Sequence, residues 1–312
     1  LEAALAVARV GVPGAENVGL TIVAMGKTGA CELNYVSDVD VVYVVGLAES
    51  FDAPAAAPSD RSVDEDELVR LGTELAVELA HATSATGDEQ PLWPLDTALR
   101  PEGKDGALVR TLASHVTYYE RWAASWEFQA LLKARPCAGD AELGAAYARA
   151  VDPFVWQASS RENFVDDARA MRRRVENESG RVGEEDRRIK LGPGGLRDVE
   201  FTVQLLQLVH GRTDRSLRVR ETVEGLRRLR DGSYVSRADA EKLDRDYRTL
   251  RVLEHRVQLR RLRRTHLLPT GPDDLRALAR AMGLPGVSGA EDLERLWHST
   301  RREVRSLHRE IY

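Results

Sequence analysis

Two short apolar runs near the start of the chain, residues 20–25 and 39–45, constrain the fold more than any other feature. Each run is short and bounded by glycine or polar residues, which is typical of a buried β-strand. The glycine-punctuated stretch between them, residues 26–33, predicts a turn with a short helix. The chain therefore opens with a strand, turn, helix, strand order, and a third strand is predicted over residues 92–99.

Helical patterns occupy the remainder of the first half. A helix is predicted from Asp64 onward because leucines recur on one of its faces. Aromatic residues at helical spacing predict another helix over residues 115–132, and this spacing is more typical of core packing than of base stacking. The Ala-, Pro- and Ser-rich stretch 46–60 predicts a disordered loop tip. The leucines are Leu68, Leu71, Leu75 and Leu79, and the aromatic residues are Tyr118, Tyr119, Trp122 and Trp126.

From residue 151 onward the pattern changes to long, arginine-rich amphipathic helices that are interrupted at glycine or proline. This pattern predicts an all-helical domain. The sequence therefore indicates an α+β protein with two domains, a mixed-sheet domain over residues 1–150 and a helical domain over residues 151–312.

Charge is divided unequally between these two parts. Residues 1–150 contain 11 basic and 23 acidic residues, a net charge of −12, whereas residues 151–312 contain 34 basic and 27 acidic residues, a net charge of +7. An acidic first domain disfavours binding of a polyanion and suits a site for divalent cations. Solvated helix faces account for the arginines of the second domain, so we predict no nucleic-acid partner.

Several other classes of protein are disfavoured. No run approaches the roughly 18–20 apolar residues that a membrane helix needs, and the first residues lack the basic region of a signal peptide. Cys31 and Cys137 are far apart and form no Cys-x-x-Cys pair, which disfavours a disulfide scaffold or a structural zinc site. We expect a cytoplasmic protein without a membrane partner. Because the first residue is Leu1 within a helix-like run, we also expect a part of a longer chain.

The most specific chemical signal is Ser37-Asp38-Val39-Asp40, which leads directly into the second strand. Alternate residues of a strand project from the same face, so Asp38 and Asp40 can direct two carboxylates to one spot. A later strand offers Asp96, with Arg100 on the same face by the same alternation. Three carboxylates of this kind predict a Mg²⁺ site for reactions at phosphorus. The plain alternative is that Asp38 is a turn residue and Asp96 an incidental charge.

The order of these elements resembles that of the polymerase-beta-like nucleotidyltransferase superfamily. The resemblance implies that a phosphate tail lies against the backbone near Gly26, with Lys27 and Ser37 as further donors. A closer resemblance is to the bifunctional glutamine synthetase adenylyltransferase/adenylyl-removing enzymes. It rests on Ala24-Met25-Gly26-Lys27-x-Gly29-x-x-Glu32-Leu33-Asn34-x-x-Ser37-Asp38-x-Asp40, on Asp96-x-x-Leu99-Arg100-Pro101, on Trp126-Glu127 with Lys133-Ala134-Arg135, and on Ile189-Lys190-Leu191-Gly192-x-Gly194-Gly195-x-Arg197-Asp198-x-Glu200-Phe201 with Gln204.

The glycine-rich stretch after Lys190 is a second candidate for anion binding. Gly194 and Gly195 let the backbone approach a phosphate, and the following helix start is expected to present free N–H groups, with Arg197 nearby. From the residues alone, a plain turn between helices with local ion pairs is equally plausible. The resemblance favours the functional interpretation, in which the helical domain closes over the active site and contributes Lys190 and Arg197.

The resemblance implies a catalytic activity and its partners. Carried over by position, Asp38, Asp40 and Asp96 are the catalytic and metal-binding carboxylates, and Mg²⁺ is the cofactor. Glu32-Leu33-Asn34 resembles the N-terminal half of the family, which removes AMP from a tyrosine of glutamine synthetase by phosphorolysis. Implied partners are glutamine synthetase, a PII-type signalling protein, phosphate and ADP or ATP. The alternatives are ATP-dependent adenylylation on the same scaffold and a non-catalytic regulatory module.

Overall fold

The computed structural model describes residues 1–48, 64–84, 93–162, 164–178 and 184–311, without the side chains of residues 168 and 174–178. The chain divides into two compact units, Leu1–Leu33 with Ser37–Ala158, and Asn34–Val36 with Ser159–Tyr312. The boundary predicted after residue 150 lies inside a helix, and the units divide just beyond the end of that helix. Most of the loop predicted over residues 46–60 lies outside the described residues.

The first unit contains a mixed sheet and six described α-helices. The strands are β1 (Val18–Ala24), β2 (Val39–Leu47), β3 (Leu95–Asp96), β4 (Val109–Thr111) and β5 (Arg135–Gly139). The helices are α1 (Glu2–Gly11), α2 (Gly26–Gly29), α3 (Glu65–Ser84), α4 (Leu112–Arg121), α5 (Ser125–Leu131) and α6 (Ala141–Gln157).

The sheet has the strand order β3-β2-β1-β5, and β4 also pairs with β2. Strand β1 is antiparallel to β2 and β5, whereas β3 and β4 are parallel to β2. The predicted mixed sheet is therefore confirmed. Strand β2 runs beyond its predicted end at Val45 because Gly46 and Leu47 continue the ladder with β1.

Local patterns predicted some of these elements well and others poorly. The predicted leucine face of α3 is confirmed, since all four leucines are buried in the core against the sheet. The third strand is much shorter than predicted, and residue 92 of its predicted range lies outside the described residues.

The single helix predicted over residues 115–132 is two helices, α4 and α5. The Glu127 carboxylate accepts hydrogen bonds from the Ala124 amide and the Tyr118 hydroxyl, both at 3.0 Å, and so fixes the break between them. Tyr118 and Tyr119 are buried as predicted. Trp122 is 75% exposed, so its assignment to the core is wrong, because it lies at the end of α4.

The regular structure of the second unit is helical among the described residues, apart from one bridge between Arg188 and Leu267. This confirms the predicted helical character. No described helix combines the length and apolarity needed to cross a bilayer. The helices are α7 (Phe164–Glu178), α8 (Leu196–His210), α9 (Thr222–Asp231), α10 (Arg237–Leu259), α11 (Pro272–Met282) and α12 (Ala290–Ile311).

Candidate functional site

Asp40 and Asp96 are direct neighbours in the sheet. In the parallel pairing of β2 with β3, Asp40 stands opposite Asp96 and Val39 stands opposite Leu95. Neighbouring strands lie about 4.8 Å apart, and paired residues project from the same face. Both aspartates are half-buried. The sheet thus brings together two carboxylates that are far apart in sequence.

Asp38 lies two residues before Asp40, immediately ahead of β2, and its side chain is buried. Within the described part of the chain, no group of three acidic, histidine or cysteine side chains is gathered closely enough to hold a metal ion. The chemistry of the three carboxylates nevertheless suits Mg²⁺, which prefers oxygen ligands and binds through one or two carboxylates together with substrate phosphates. The three-aspartate metal site stays a prediction.

Gly26 lies directly beside Asp40. The Met25 amide donates to the Asp40 carbonyl at 2.9 Å, and Gly26 has the positive φ of +51°. A Cβ atom on Gly26 would lie only 2.6 Å from Asp40 Oδ2. Glycine is therefore required both by the backbone conformation and by the Asp40 carboxylate.

The helix that begins at Gly26 is a single turn, Gly26–Gly29, within the stretch 26–33 for which a turn with a short helix was predicted. Arg135 holds this turn by donating to the carbonyls of Gly29 and Thr28 at 3.0 and 3.1 Å. A Cβ on Gly29 would lie 1.8 Å from the Lys133 carbonyl oxygen, so the turn packs directly on the chain before β5. Lys133 Nζ also donates to Glu32 Oε2 at 3.1 Å in a largely buried pair.

Glu32, Lys133 and Arg135 entered the sequence analysis only as part of a resemblance, and their contacts were not predicted. In the structure, their hydrogen bonds hold the turn that lies next to Asp40. The sequence feature that could have indicated these contacts is the pair of cationic residues Lys133-x-Arg135, which directly follows the helix predicted over residues 115–132. Lys27 lies in this turn and Ser37 immediately precedes Asp38. Both are half-buried, and the phosphate contacts predicted for them stay predictions.

Arg100 differs from the sequence expectation. Strand β3 ends at Asp96, so strand alternation does not extend to Arg100. Its guanidinium donates to the carbonyls of Thr97, Lys104 and Gly106 and to the Thr97 hydroxyl, at 2.8–3.0 Å. These bonds use most of its five N–H donors and order the loop after β3. The role of Arg100 in phosphate binding stays a prediction.

The glycine-rich stretch in the second unit is packed against protein atoms. Gly194 has a φ of +73°, and a Cβ there would lie 2.1 Å from the Arg301 carbonyl oxygen. The amides of residues 194–198 all donate to protein acceptors, namely the Asp198 carboxylate and the carbonyls of residues 192, 189, 190 and 195. The expectation that this helix start presents free N–H groups is therefore wrong.

The packing of this stretch explains its glycines without a ligand. Gly195 is likewise crowded, since a Cβ there would lie 2.6 Å from the Ile189 carbonyl oxygen. Lys190 and Arg197 are half-buried, and the Arg197 guanidinium lies 5.2 Å from the centre of the Phe201 ring. The phosphate-binding roles predicted for Lys190, Gly194, Gly195 and Arg197 stay predictions.

Asn34, three residues before Ser37, clusters with the helical unit. It is 4% exposed, and its side-chain oxygen accepts hydrogen bonds from Arg251 and, at 3.1 Å, from His255 Nε2. The Tyr35 ring meets the His255 ring edge-on at 5.4 Å. No sequence signal indicated these contacts, which join residues more than 200 positions apart.

Comparison with known proteins identifies relatives for both units. Residues 2–150 match the glutamate-ammonia ligase adenylyltransferase family, and residues 169–312 match the family described as GlnD PII-uridylyltransferase. Bifunctional glutamine synthetase adenylyltransferase/adenylyl-removing enzymes from Bifidobacterium longum and Streptomyces coelicolor are 51% and 52% identical to this chain over its whole length. The corresponding enzyme of Corynebacterium efficiens is 50% identical, also over the whole chain.

The chain spans about 30% of the length of these curated relatives, 28% for the Corynebacterium enzyme. The match covers the whole chain, so it includes the mixed sheet, the following helices and the segment around Gly26 and Asp40. The chain therefore belongs to the family of bifunctional glutamine synthetase adenylyltransferase/adenylyl-removing enzymes.

Proposed function

We propose that this chain is the adenylyl-removing part of such an enzyme and transfers the adenylyl group from a tyrosine of glutamine synthetase to phosphate, which yields ADP. The observation that best supports a nucleotidyl-transfer activity is the pairing of Asp40 with Asp96 on parallel strands, next to Gly26. The direction rests on Glu32-Leu33-Asn34, which resembles the N-terminal half of the family.

The reaction is an in-line displacement at phosphorus. An oxygen of hydrogenphosphate attacks the α-phosphorus of the adenylyl-tyrosine, and the bond from that phosphorus to the tyrosine oxygen breaks. The phenolate oxygen gains the proton that hydrogenphosphate loses, so the products are ADP and free tyrosine. Asp38, Asp40 and Asp96 would hold Mg²⁺, which supplies positive charge beside the phosphate oxygens.

The chain's own residues orient the reacting groups. The absence of a side chain at Gly26 keeps the Asp40 carboxylate in place, and it also leaves backbone accessible next to that carboxylate. Lys27 and Ser37 are the donors proposed for the phosphates. Arg135 fixes the turn by its two backbone hydrogen bonds, so the geometry is set before the substrate binds.

A PII-type signalling protein is proposed as a second partner. Its support is the match of residues 169–312 to the family described as GlnD PII-uridylyltransferase. A purely regulatory module is the non-catalytic alternative. The presence of all three aspartates, two of them paired in the sheet, favours catalysis over that alternative.

ATP-dependent adenylylation is the nearest alternative reaction, because the relatives' name includes both activities. Both directions need the same carboxylates, so a reaction assay has to choose between them. In one tube, adenylylated glutamine synthetase, phosphate and Mg²⁺ are incubated with the chain, and ADP is measured. In a second tube, unmodified glutamine synthetase and α-labelled ATP are supplied, and label on the protein is measured.

We expect ADP in the first tube and no label on the protein in the second. The matched control is Asp40→Asn, which keeps the shape of the side chain and removes its charge. ADP formation that persists in this variant would exclude the proposed site. Label on glutamine synthetase without ADP in the first tube would favour adenylylation, and activity in neither tube would favour the regulatory module.

A further inference from the structure

The helical unit contains a cavity of about 390 Å³ whose lining is strongly basic. Helix α7 contributes arginines to this lining, and α12 contributes arginines and a histidine. This volume lies within the range of small-molecule sites, which is about 300–1,000 Å³. The basic lining residues are Arg169, Arg172 and Arg173 of α7 and Arg305, His308 and Arg309 of α12.

The basic residues form one stripe on each helix. On both helices they occur at positions i, i+3 and i+4, which places them on a single helix face. Some other arginines on helices are paired with acids at the i, i+4 spacing, as in Arg70 with Glu74 and Arg228 with Glu224. Two stripes of like charge around one cavity repel each other, so an anion between them would be stabilising.

Among the described residues, Asp198 is the one acidic residue that lines the cavity, and its charge is already matched. Its carboxylate accepts hydrogen bonds from Arg172 Nε at 2.7 Å and from the Gly194 amide at 2.6 Å, and it is 2% exposed. Among the described residues, no ion pair involves Arg173, Arg305 or Arg309. Within that part of the chain, at least three lining arginines are therefore without a carboxylate partner.

Direct contacts between side chains of three helices surround Asp198 in the lining of the cavity. Arg172 and Asp198 are both buried, and His308 Nδ1 lies 2.8 Å from the Thr202 hydroxyl on α8. His308 Nε2 in turn lies 3.8 Å from Asp198 Oδ1. These contacts join α7, α8 and α12 on one side of the cavity and hold its lining side chains in a fixed relation.

We propose that this cavity binds the diphosphate or triphosphate group of a small molecule. A phosphate group carries about 1.5–2 negative charges, so a diphosphate balances the three lining arginines that form no ion pair with a described side chain, whereas a monocarboxylate does not. Guanidinium groups bind phosphate oxygens in bidentate geometry, which favours phosphate over a diffuse anion. No residue predicted for the metal or nucleotide site lines the cavity, so the proposal is independent of the proposed reaction.

The test is calorimetric titration of the whole chain, in the presence of a chelator, with inorganic pyrophosphate, ADP and citrate. Arg305→Gln should weaken pyrophosphate binding about tenfold or more, because a charge-assisted hydrogen bond is lost. The matched control is Arg302→Gln, an exposed arginine of the same helix that does not line the cavity, and it should bind as the unmodified chain does. Circular dichroism checks that both variants are folded.

The ligands separate the sources of the phosphate group. If pyrophosphate and ADP bind with similar affinity and both lose affinity equally in Arg305→Gln, the site recognises the phosphates alone. If ADP binds more tightly than pyrophosphate and loses affinity to the same extent in the variant, the ligand is a nucleotide. Asp40→Asn should leave either result unchanged. Citrate binding as tightly as pyrophosphate would overturn the assignment to phosphate, and pyrophosphate binding that is absent or insensitive to Arg305→Gln would overturn the site.

Discussion

The substitution Gly26→Ala tests whether the position of the Asp40 carboxylate governs turnover. The new Cβ would lie 2.6 Å from Asp40 Oδ2, and ordinary contact begins at 3.4 Å, so the oxygen has to retreat by about 0.8 Å. The far end of a flexible side chain can make this movement without a shift of the backbone. A misplacement of about 1 Å in an active site can lower turnover about 100-fold, so we expect a loss of that order.

The same substitution also has a backbone cost. Gly26 has φ of +51°, and an L-residue in the left-handed region loses roughly 1–2 kcal/mol of stability. Gly283 is the matched control, because its φ is +64° and no atom lies within 4 Å of the place that a Cβ would occupy. Gly283→Ala should therefore lose a similar free energy of unfolding while keeping its activity.

The assay measures ADP release from adenylylated glutamine synthetase, together with urea unfolding of both variants. Full turnover by Gly26→Ala would refute the idea that Asp40 is positioned by the adjoining glycine. An equal loss of turnover in Gly283→Ala would show that backbone strain, and not the carboxylate, is responsible.

Three further predictions concern single side chains. Asp96→Asn should abolish turnover and keep the fold, because the amide oxygen can still accept the 2.8 Å hydrogen bond from the Ala98 amide; undiminished ADP release would remove Asp96 from the site. Arg135→Ala should lower the free energy of unfolding by about 1–3 kcal/mol and also lower turnover, because the carbonyls of Thr28 and Gly29 lose their hydrogen-bond donor. Unchanged results in the unfolding and ADP-release assays would contradict this prediction. Burial raises the pKa of Asp246 to about 7, so the folded state favours its protonated form, and the stability of the fold should decrease as pH rises from about 4 to about 7. Asp246→Asn should reduce this pH dependence of the thermal unfolding temperature. An unchanged pH dependence in the variant would contradict the prediction.

The sequence predicted elements whose signal is local. Strand β2 was found because its apolar run is short and bounded by polar residues or glycine, and the leucine face of α3 was found because leucines recur at the helical period. Strand β5 was missed because Arg135–Gly139 has no run of apolar residues, and its extended form follows from pairing with β1. Tertiary pairing of this kind is not encoded in a short window of sequence.

For the candidate site too, the sequence predicted the residues with a local signal but not the contacts between distant segments. Asp38 and Asp40 were predictable from their spacing next to an apolar strand, whereas the register that places Asp96 opposite Asp40 is a property of the sheet. The contacts of Lys133 and Arg135 with the turn after Gly26 join residues about 100 positions apart. Their chemistry was visible in the sequence, but the partners of these cations were not.

Two glycine-rich turns that look alike in sequence have different structural reasons. At Gly26 the atom that a Cβ would meet first is a carboxylate oxygen, which can move, so a substitution there acts on the site. At Gly194 the nearest atom is the backbone carbonyl oxygen of Arg301 at 2.1 Å, so a substitution there has to separate the loop from α12. Because the same loop donates to Asp198, that separation would also disturb the buried pair with Arg172. The glycine of the first turn is therefore explained by its close approach to the Asp40 carboxylate, whereas the glycines of the second are explained by packing against backbone.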